Sequence, residues 1–388
     1  MWNIILLGLV SLFTDISSEM IYPLVPLYLV GTLGVTPAIV GLIEGIAESL
    51  ASLLKVFSGA VSDKFQKRKP LAIIGYGFSG LFKIPIILAT SWTWVLWGRV
   101  GDRFGKGVRT APRDALIAES ADPARMGWAF GLHRMMDTLG AVIGVALAFY
   151  FFTRYQGDYK AVFIWSLVPA ILGVGLLFLL REAKGKVKSL NNQFLLNWHS
   201  LNPRLKKFLI VVFVFALGNS SNQFLLLRAS ELGYSTQNII LLYLVFNMIY
   251  TLFAFPAGAL SDLVGRRALL VAGYVFYSLV YFGFAVISRG QFLWLLFGLY
   301  GIYNAVTEGV EKALVSEVAP GNQKATLLGL HATLVGIGLL PASVIGGALW
   351  RYLGSSATFY FGSLMGLLAA VSLAFVLAGE KDMINRKI

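Results

Sequence analysis

Long apolar runs alternate with short polar breaks along the whole chain. A membrane-spanning helix needs about 20 apolar residues, and twelve runs approach that length, near 4–30, 37–61, 70–90, 92–118, 126–152, 159–181, 206–228, 236–260, 267–288, 291–317, 324–350 and 355–378. These are numbered spans 1 to 12. The pattern predicts an all-α integral membrane protein, because the short alternating segments of a membrane barrel are absent. Only one polar stretch is longer than a simple turn. It divides the chain into a six-helix bundle over 1–181, a linker over 182–205 and a second six-helix bundle with a short tail over 206–388. Within the linker, the mixed apolar and polar stretch from Leu190 to His199 reads as an interfacial helix or a plain tether.

Composition agrees with this reading. Hydrophobic residues make up 57% of the 388 positions and charged residues 13%, too apolar for a soluble domain of this length. Cysteine is absent, which removes disulfides and thiolate metal sites. The first run follows Met1-Trp2-Asn3 without a basic leader and reads as an uncleaved span. A net charge of +13 could suggest nucleic acid, but its distribution argues otherwise. With the amino terminus inside, 18 of the 32 Lys and Arg fall in loops on that side and five on the other. Cytoplasmic loops retain such an excess. Both termini are therefore expected in the cytosol, in the cell membrane, with no nucleic-acid partner.

Two loops about 200 residues apart repeat one pattern. Gly59-Ala-Val-Ser-Asp63-Lys64-Phe-Gln-Lys67-Arg68-Lys69 lies between spans 2 and 3, and Gly258-Ala-Leu-Ser-Asp262-Leu-Val-Gly-Arg266-Arg267 between spans 8 and 9. The same glycine, aspartate and basic cluster at equivalent places in two halves indicate duplication. With Arg99-Val-Gly-Asp-Arg103-Phe-Gly105-Lys106-Gly107 in span 4, the pattern resembles the signature motifs of the major facilitator superfamily, although Arg103 stands where one glycine is expected. Gly140-Ala-Val-Ile-Gly144 in span 5 partly resembles the glycine motif of drug–proton antiporters, without its proline.

The resemblance covers essentially the whole chain. It implies two pseudo-symmetric six-helix bundles around a central substrate cavity, rocking between inward-open and outward-open states. The motif residues Gly59, Asp63, Arg68, Arg99, Gly258, Asp262, Arg266 and Arg267 then take a gating role, with the two aspartates as latches on the cytoplasmic face. The plainer reading of Gly59 and Gly258 is close helix packing.

Charges inside the spans point to the cargo. Each costs about 2.5–3.5 kcal/mol at a lipid-facing helix centre, so they are expected in the interior, mostly paired. Asp15 and Glu19 in span 1, and Glu44 and Glu48 in span 2, are i,i+4 pairs that share a helix face. In span 4, Arg99, Arg103, Lys106 and Arg113 form one basic stripe with Thr110, and Arg109 lies nearby. Asp102 is spaced to pair with Lys106, and Asp137 with Arg134. The second half contributes Glu308, Glu311 and Lys312 in span 10 and neutral polar groups from Asn219 to Gln223 in span 7, with Asn247 and Asn304.

Eight of nine deep cations belong to the first half. Arginine forks suit carboxylate or phosphate, so the expected activity is secondary transport of a small polar, anionic solute, coupled to protons taken up by one of the carboxylates. Cation, metal or drug efflux by the same fold is the alternative, since the two carboxylate pairs could offer oxygen ligands. A receptor or scaffold explains costly buried charge less well. No catalytic triad order, phosphate loop or metal-ligand spacing is present to suggest an enzyme. The expected partners are a small-molecule solute, protons and the lipid bilayer, with no cofactor or bound metal and the chain acting as a monomer. His133 and His331 read as packing residues, with a proton relay as the alternative, and Trp92, Trp94, Trp97, Trp294 and Trp350 as an interfacial belt.

Overall fold

The computed structural model describes residues 2–65, 68–121, 126–180, 203–318 and 324–376. Within these, the side chains at 56, 60, 63–65, 126–128, 204, 255, 259, 262, 316–318 and 324–326 are not described. The described residues form twelve helical spans. Eight are single helices: Pro37–Phe65, Trp92–Ser120, Met126–Arg154, Thr236–Val264, Arg266–Val286, Leu293–Val318, Lys324–Leu353 and Ser355–Val376. These are spans 2, 4, 5 and 8 to 12. Among the described residues, nine spans are apolar enough to cross a membrane by composition alone. The three that fall short are spans 2, 4 and 10, which carry Glu44, Glu48 and Lys55, the basic stripe, and Glu308, Glu311 and Lys312.

The other four spans are interrupted. Span 1 runs Trp2–Ile21, then Val25–Leu27 and a π-helical turn Tyr28–Thr32. Span 3 is Arg68–Leu81 and Lys83–Ile87, and span 6 is Tyr159–Trp165 and Leu167–Leu177. Proline lacks an N–H and clashes with the carbonyl four residues back. Counting back from Pro85 gives Leu81 and from Pro169 gives Trp165, the last residues of those first helices, and in span 1 Pro23 and Pro26 follow soon after Ile21, where its first helix ends. Span 7, Pro203–Gly218 and Gln223–Glu231, has no proline at its break. It begins inside the expected linker, at Pro203, a residue whose fixed φ suits a first helical turn. The segment 190–199 lies outside the described residues.

Packing repeats between the halves. Span 1 packs on spans 5 and 6, span 2 on span 4, and span 3 on spans 4 and 6. Adding six to each number gives further observed pairs: 7 with 11 and 12, 8 with 10, and 9 with 10 and 12. The halves meet through span 2 on span 11 and span 5 on span 8, which the same operation exchanges. Glycines permit the close approaches. A Cβ at Gly140 would lie 2.5 Å from the Leu12 carbonyl oxygen and 3.2 Å from Asp15 Cβ, and one at Gly144 would lie 3.0 Å from Glu19 Cβ. The glycine pair of span 5 thus seats against the acidic face of span 1.

One end of the bundle is closed. There the second segments of spans 1 and 7 touch, Tyr159 and Thr236 hydroxyls are 3.2 Å apart, and a Cβ at Gly347 would sit 2.7 Å from Ala38 Cα. The opposite half, toward the repeated loops, holds the largest cavity described below.

Candidate functional site

Spans 2 and 4 build the most deeply buried charge cluster. Arg99 donates through Nε and Nη2 to the two Glu44 carboxylate oxygens at 2.7 and 2.8 Å, and the side chains are 3% and 1% exposed. Parallel bonds of this kind exploit the planar guanidinium fork. One turn on, Arg103 Nε lies 2.9 Å from Glu48 Oε1. Two i,i+4 carboxylates on one helix therefore face two i,i+4 arginines on its neighbour. The expected Asp102–Lys106 pair does not form. Asp102 instead lies 3.8 Å from Arg99 and is buried, because its side of span 4 faces spans 2 and 3 while Lys106 turns to the cavity.

That cavity, about 660 Å³, is lined by Asp15, Lys55, Lys106, Arg109, Thr110, Arg113, Asp114, Phe130, His133, Arg134, Asp137, Tyr250, Ala254, Ala305, Glu308, Gly309 and Lys312. Its six cations outnumber its four carboxylates. Arg113 pairs with Asp114 at 2.8 Å. Arg109 donates to Ser79 and lies 4.5 Å over the Tyr76 ring. Arg134 reaches Asp137 at 3.4 Å, as spacing predicts, and crosses the cavity to Glu308 at 3.3 Å and the Tyr250 hydroxyl at 2.6 Å. Lys312 completes this bridge at 2.9 Å from Glu308. For Lys55 and Lys106, no carboxylate among the described residues comes within ion-pair distance.

Two carboxyl groups meet at the cavity wall. Asp15 of span 1 and Asp137 of span 5 both line the cavity, and Asp137 Oδ1 accepts 2.6 Å from Ser11. Glu19, the other member of the span 1 pair, accepts from Tyr243 of the second half at 3.1 Å.

Glu311 is not at the cavity. It is buried between the Tyr274 hydroxyl at 2.9 Å and His331 Nε2 at 3.2 Å, a contact that joins spans 9, 10 and 11 and gives His331 a partner that sequence spacing did not reveal. His133, by contrast, lines the cavity. Of the tryptophans, Trp94, Trp97 and Trp294 are exposed on the outer surface, whereas Trp350 packs inside on Phe224, with ring centroids 5.7 Å apart.

The basic residues of the repeated loops brace their own halves. Arg68 pairs with Glu119 at the end of span 4, and Lys69 donates to the Phe178 and Leu180 carbonyls past span 6. In the second half, Arg266 donates to the Ala313 carbonyl of span 10 and Arg267 to the Ala374 carbonyl of span 12. Cations suit helix C-termini, where carbonyls lack partners. The side chains of Asp63 and Asp262 lie outside the described residues. Among the described atoms the motif glycines are not tightly packed: a Cβ at Gly59 would make only ordinary contact with Ala111, at 3.4 Å, and one at Gly258 would meet none within 4 Å.

A pseudo-symmetric pair of six-helix bundles, closed at one end and enclosing a charged cavity at the other, defines a secondary transporter fold. Sequence and structural comparisons agree. The Major Facilitator Superfamily model matches residues 7–221 and 208–386. The uncharacterized MFS-type transporter MJ1317 of Methanocaldococcus jannaschii is 37% identical over 382 residues, spanning 96% of this chain and 94% of that protein. Multidrug resistance protein MdtH of Photorhabdus laumondii is 32% identical over 128 residues, 33% of this chain and 31% of its own length. Among solved structures, the nucleoside transporter NupG superposes with a TM-score of 0.79 at 12% identity, covering 97% of this chain and 99% of that one. A D-xylose-proton symporter gives 0.77 at 17% identity over 95% and 96%. The chain belongs to the Major Facilitator Superfamily and is a multi-pass membrane transporter.

Proposed function

We propose that this protein carries a small anionic solute across the cell membrane by alternating access, coupled to protons, with bundles 1–181 and 206–388 rocking about their interface. The observation that carries the reading is the cavity's cation excess, and above all Lys55 and Lys106, which face the same space with no carboxylate partner among the described residues. Cations in a low-dielectric recess attract anions. The Lys and Arg of the motif loops support a cytosolic position for the cavity end of the bundle, and on that reading the conformation is inward-facing with both termini cytoplasmic. The Asp15–Asp137 pair, at the cavity wall, is the coupling site, and Arg134 with Glu308 is the cross-bundle contact that an arriving anion displaces.

Metal efflux is disfavoured by the same geometry, since Glu44 and Glu48 already satisfy arginines. Drug efflux retains one supporting observation, the partial similarity to the multidrug resistance protein MdtH. Uptake into proteoliposomes under an imposed pH gradient separates the readings. Organic anions are expected to move and the gradient to change their flux. Movement of cationic drugs alone would replace this proposal with the second reading.

A further inference from the structure

Deeper than the charged cavity lies a second one, of about 220 Å³ and different chemistry. Tyr22, Glu44 and Glu48 line it from the first half, and Asn219 to Asn222, Tyr300, Asn304, Leu339 and Ser343 from the second. The two carboxylates in its lining are held in ion pairs with Arg99 and Arg103, so its charge is internally balanced. What it offers a ligand is hydroxyl and amide groups.

The interruption of span 7 forms one wall. Tyr277 donates to the Gly218 carbonyl at 2.9 Å and Tyr300 to Asn222 Oδ1 at 2.7 Å. Asn219 lies 3.4 Å from the Tyr303 hydroxyl. Three buried tyrosines of spans 9 and 10 thus hold the break open with no proline to impose it. Polar groups at the break remain unsatisfied. Ser220 lines the pocket and is 5% exposed, and its Oγ, facing the Tyr281 hydroxyl, makes no hydrogen bond of good geometry. Leaving a buried hydroxyl unpaired costs about 1–3 kcal/mol. A held-open helix break that lines a cavity with amide side chains and with a serine whose hydroxyl lacks a good partner is a site prepared for a hydrogen-bonding ligand.

The two cavities stack along common helices. Asn304 of the inner one and Glu308 of the outer one are one turn apart on span 10, and Glu48 and Lys55 are two turns apart on span 2. At 1.5 Å per residue these separations are about 6 and 10 Å, the length of a small organic molecule.

We propose that the solute is a hydroxyl-bearing organic anion, its uncharged body hydrogen-bonded at the span 7 break through Ser220 and Asn304, its anionic group at Lys55 and Lys106. This rests on the anionic reading above and narrows it, excluding inorganic anions and simple carboxylates as the preferred cargo.

Equilibrium binding to the purified full-length protein tests it with glucose 6-phosphate, gluconate, inorganic phosphate, acetate and glucose. At least one hydroxylated anion is expected to bind at least tenfold tighter than its bare counterpart and than glucose. Ser220→Ala and Asn304→Ala, each checked for monodispersity, are expected to cut that preference about three- to tenfold, the value of a lost hydrogen bond. Lys106→Ala is expected to lower affinity for every anion. Equal affinity for hydroxylated and bare anions, or a preference that survives both inner-pocket variants, overturns the inner site while leaving the anionic reading intact. Glucose binding as tightly as its phosphate, with Lys106→Ala inert, overturns the anionic reading itself. Binding of none of the five overturns both.

Discussion

Replacing Arg99 by methionine leaves Glu44 stranded. The two side chains are 3% and 1% exposed, and both carboxylate oxygens take their short bonds from this one guanidinium. Burial leaves Glu44 little access to water, although it borders the inner cavity, and no second cation is hydrogen-bonded to Glu44 among the described residues. Removing one partner of a buried pair costs about 3–5 kcal/mol, whereas replacing both by neutral groups of similar volume is close to neutral. Arg99→Met is therefore expected to lower the unfolding free energy by that amount. Glu44→Gln costs less, because Asp102 at 3.8 Å still faces Arg99. The double variant is expected to be more stable than Arg99→Met alone, with a coupling energy of about 2–3 kcal/mol in the double-mutant cycle. Equilibrium unfolding in mixed micelles, followed by tryptophan fluorescence, measures all four proteins. A cost for Arg99→Met under about 1 kcal/mol, or strictly additive single costs, would refute the claim that this pair is dry and mutually dependent.

Asp15→Asn is expected to abolish the effect of an imposed pH gradient on flux while leaving counterflow exchange of solute, and a gradient response that survives in the variant rules out the Asp15–Asp137 pair as the coupling site. Gly140→Val drives a side chain into the span 1 backbone and is expected to cost about 1–3 kcal/mol in the same unfolding assay. Gly258→Ala, which meets open space, is expected to stay within about 0.5 kcal/mol of the parent; a larger loss would show that this motif glycine packs after all. Glu308→Gln weakens the bridge to Arg134 and Lys312, and cysteine cross-linking between spans 5 and 10 is expected to slow as the bundles separate more often.

Hydropathy made the twelve spans legible because the bilayer imposes one length on every crossing. It read least well where charge concentrates. Spans 2, 4 and 10 are diluted by charge, and the charges that weaken their apolar signal belong to the two cavities and the ion pairs beside them. Proline accompanies three of the four helix breaks, but Pro112, Pro256 and Pro341 sit inside unbroken helices, so proline alone marks no break, and the fourth, at Gly218-Asn-Ser-Ser-Asn222, is held by tyrosines from other spans that no local pattern can foresee. Pairings within one helix were partly readable, as Arg134 with Asp137 shows. Asp102 with Lys106 failed, because a residue four positions away competes with whatever the neighbouring helix presents. Glu311 with His331 was invisible for the same reason: their contact exists only once spans 10 and 11 pack.

The central claim is that Lys55 and Lys106, which have no carboxylate partner among the described residues, select an anion. Its most direct test is the KM for transport of an organic anion by the parent protein and by Lys106→Gln and Lys55→Gln in proteoliposomes, measured beside an uncharged analogue of the same body. Transport of the anion with a KM that rises at least tenfold in the variants, while the uncharged analogue remains a poor substrate in all three proteins, is the predicted result. An unchanged KM in both variants, or equal transport of the uncharged analogue, would contradict it.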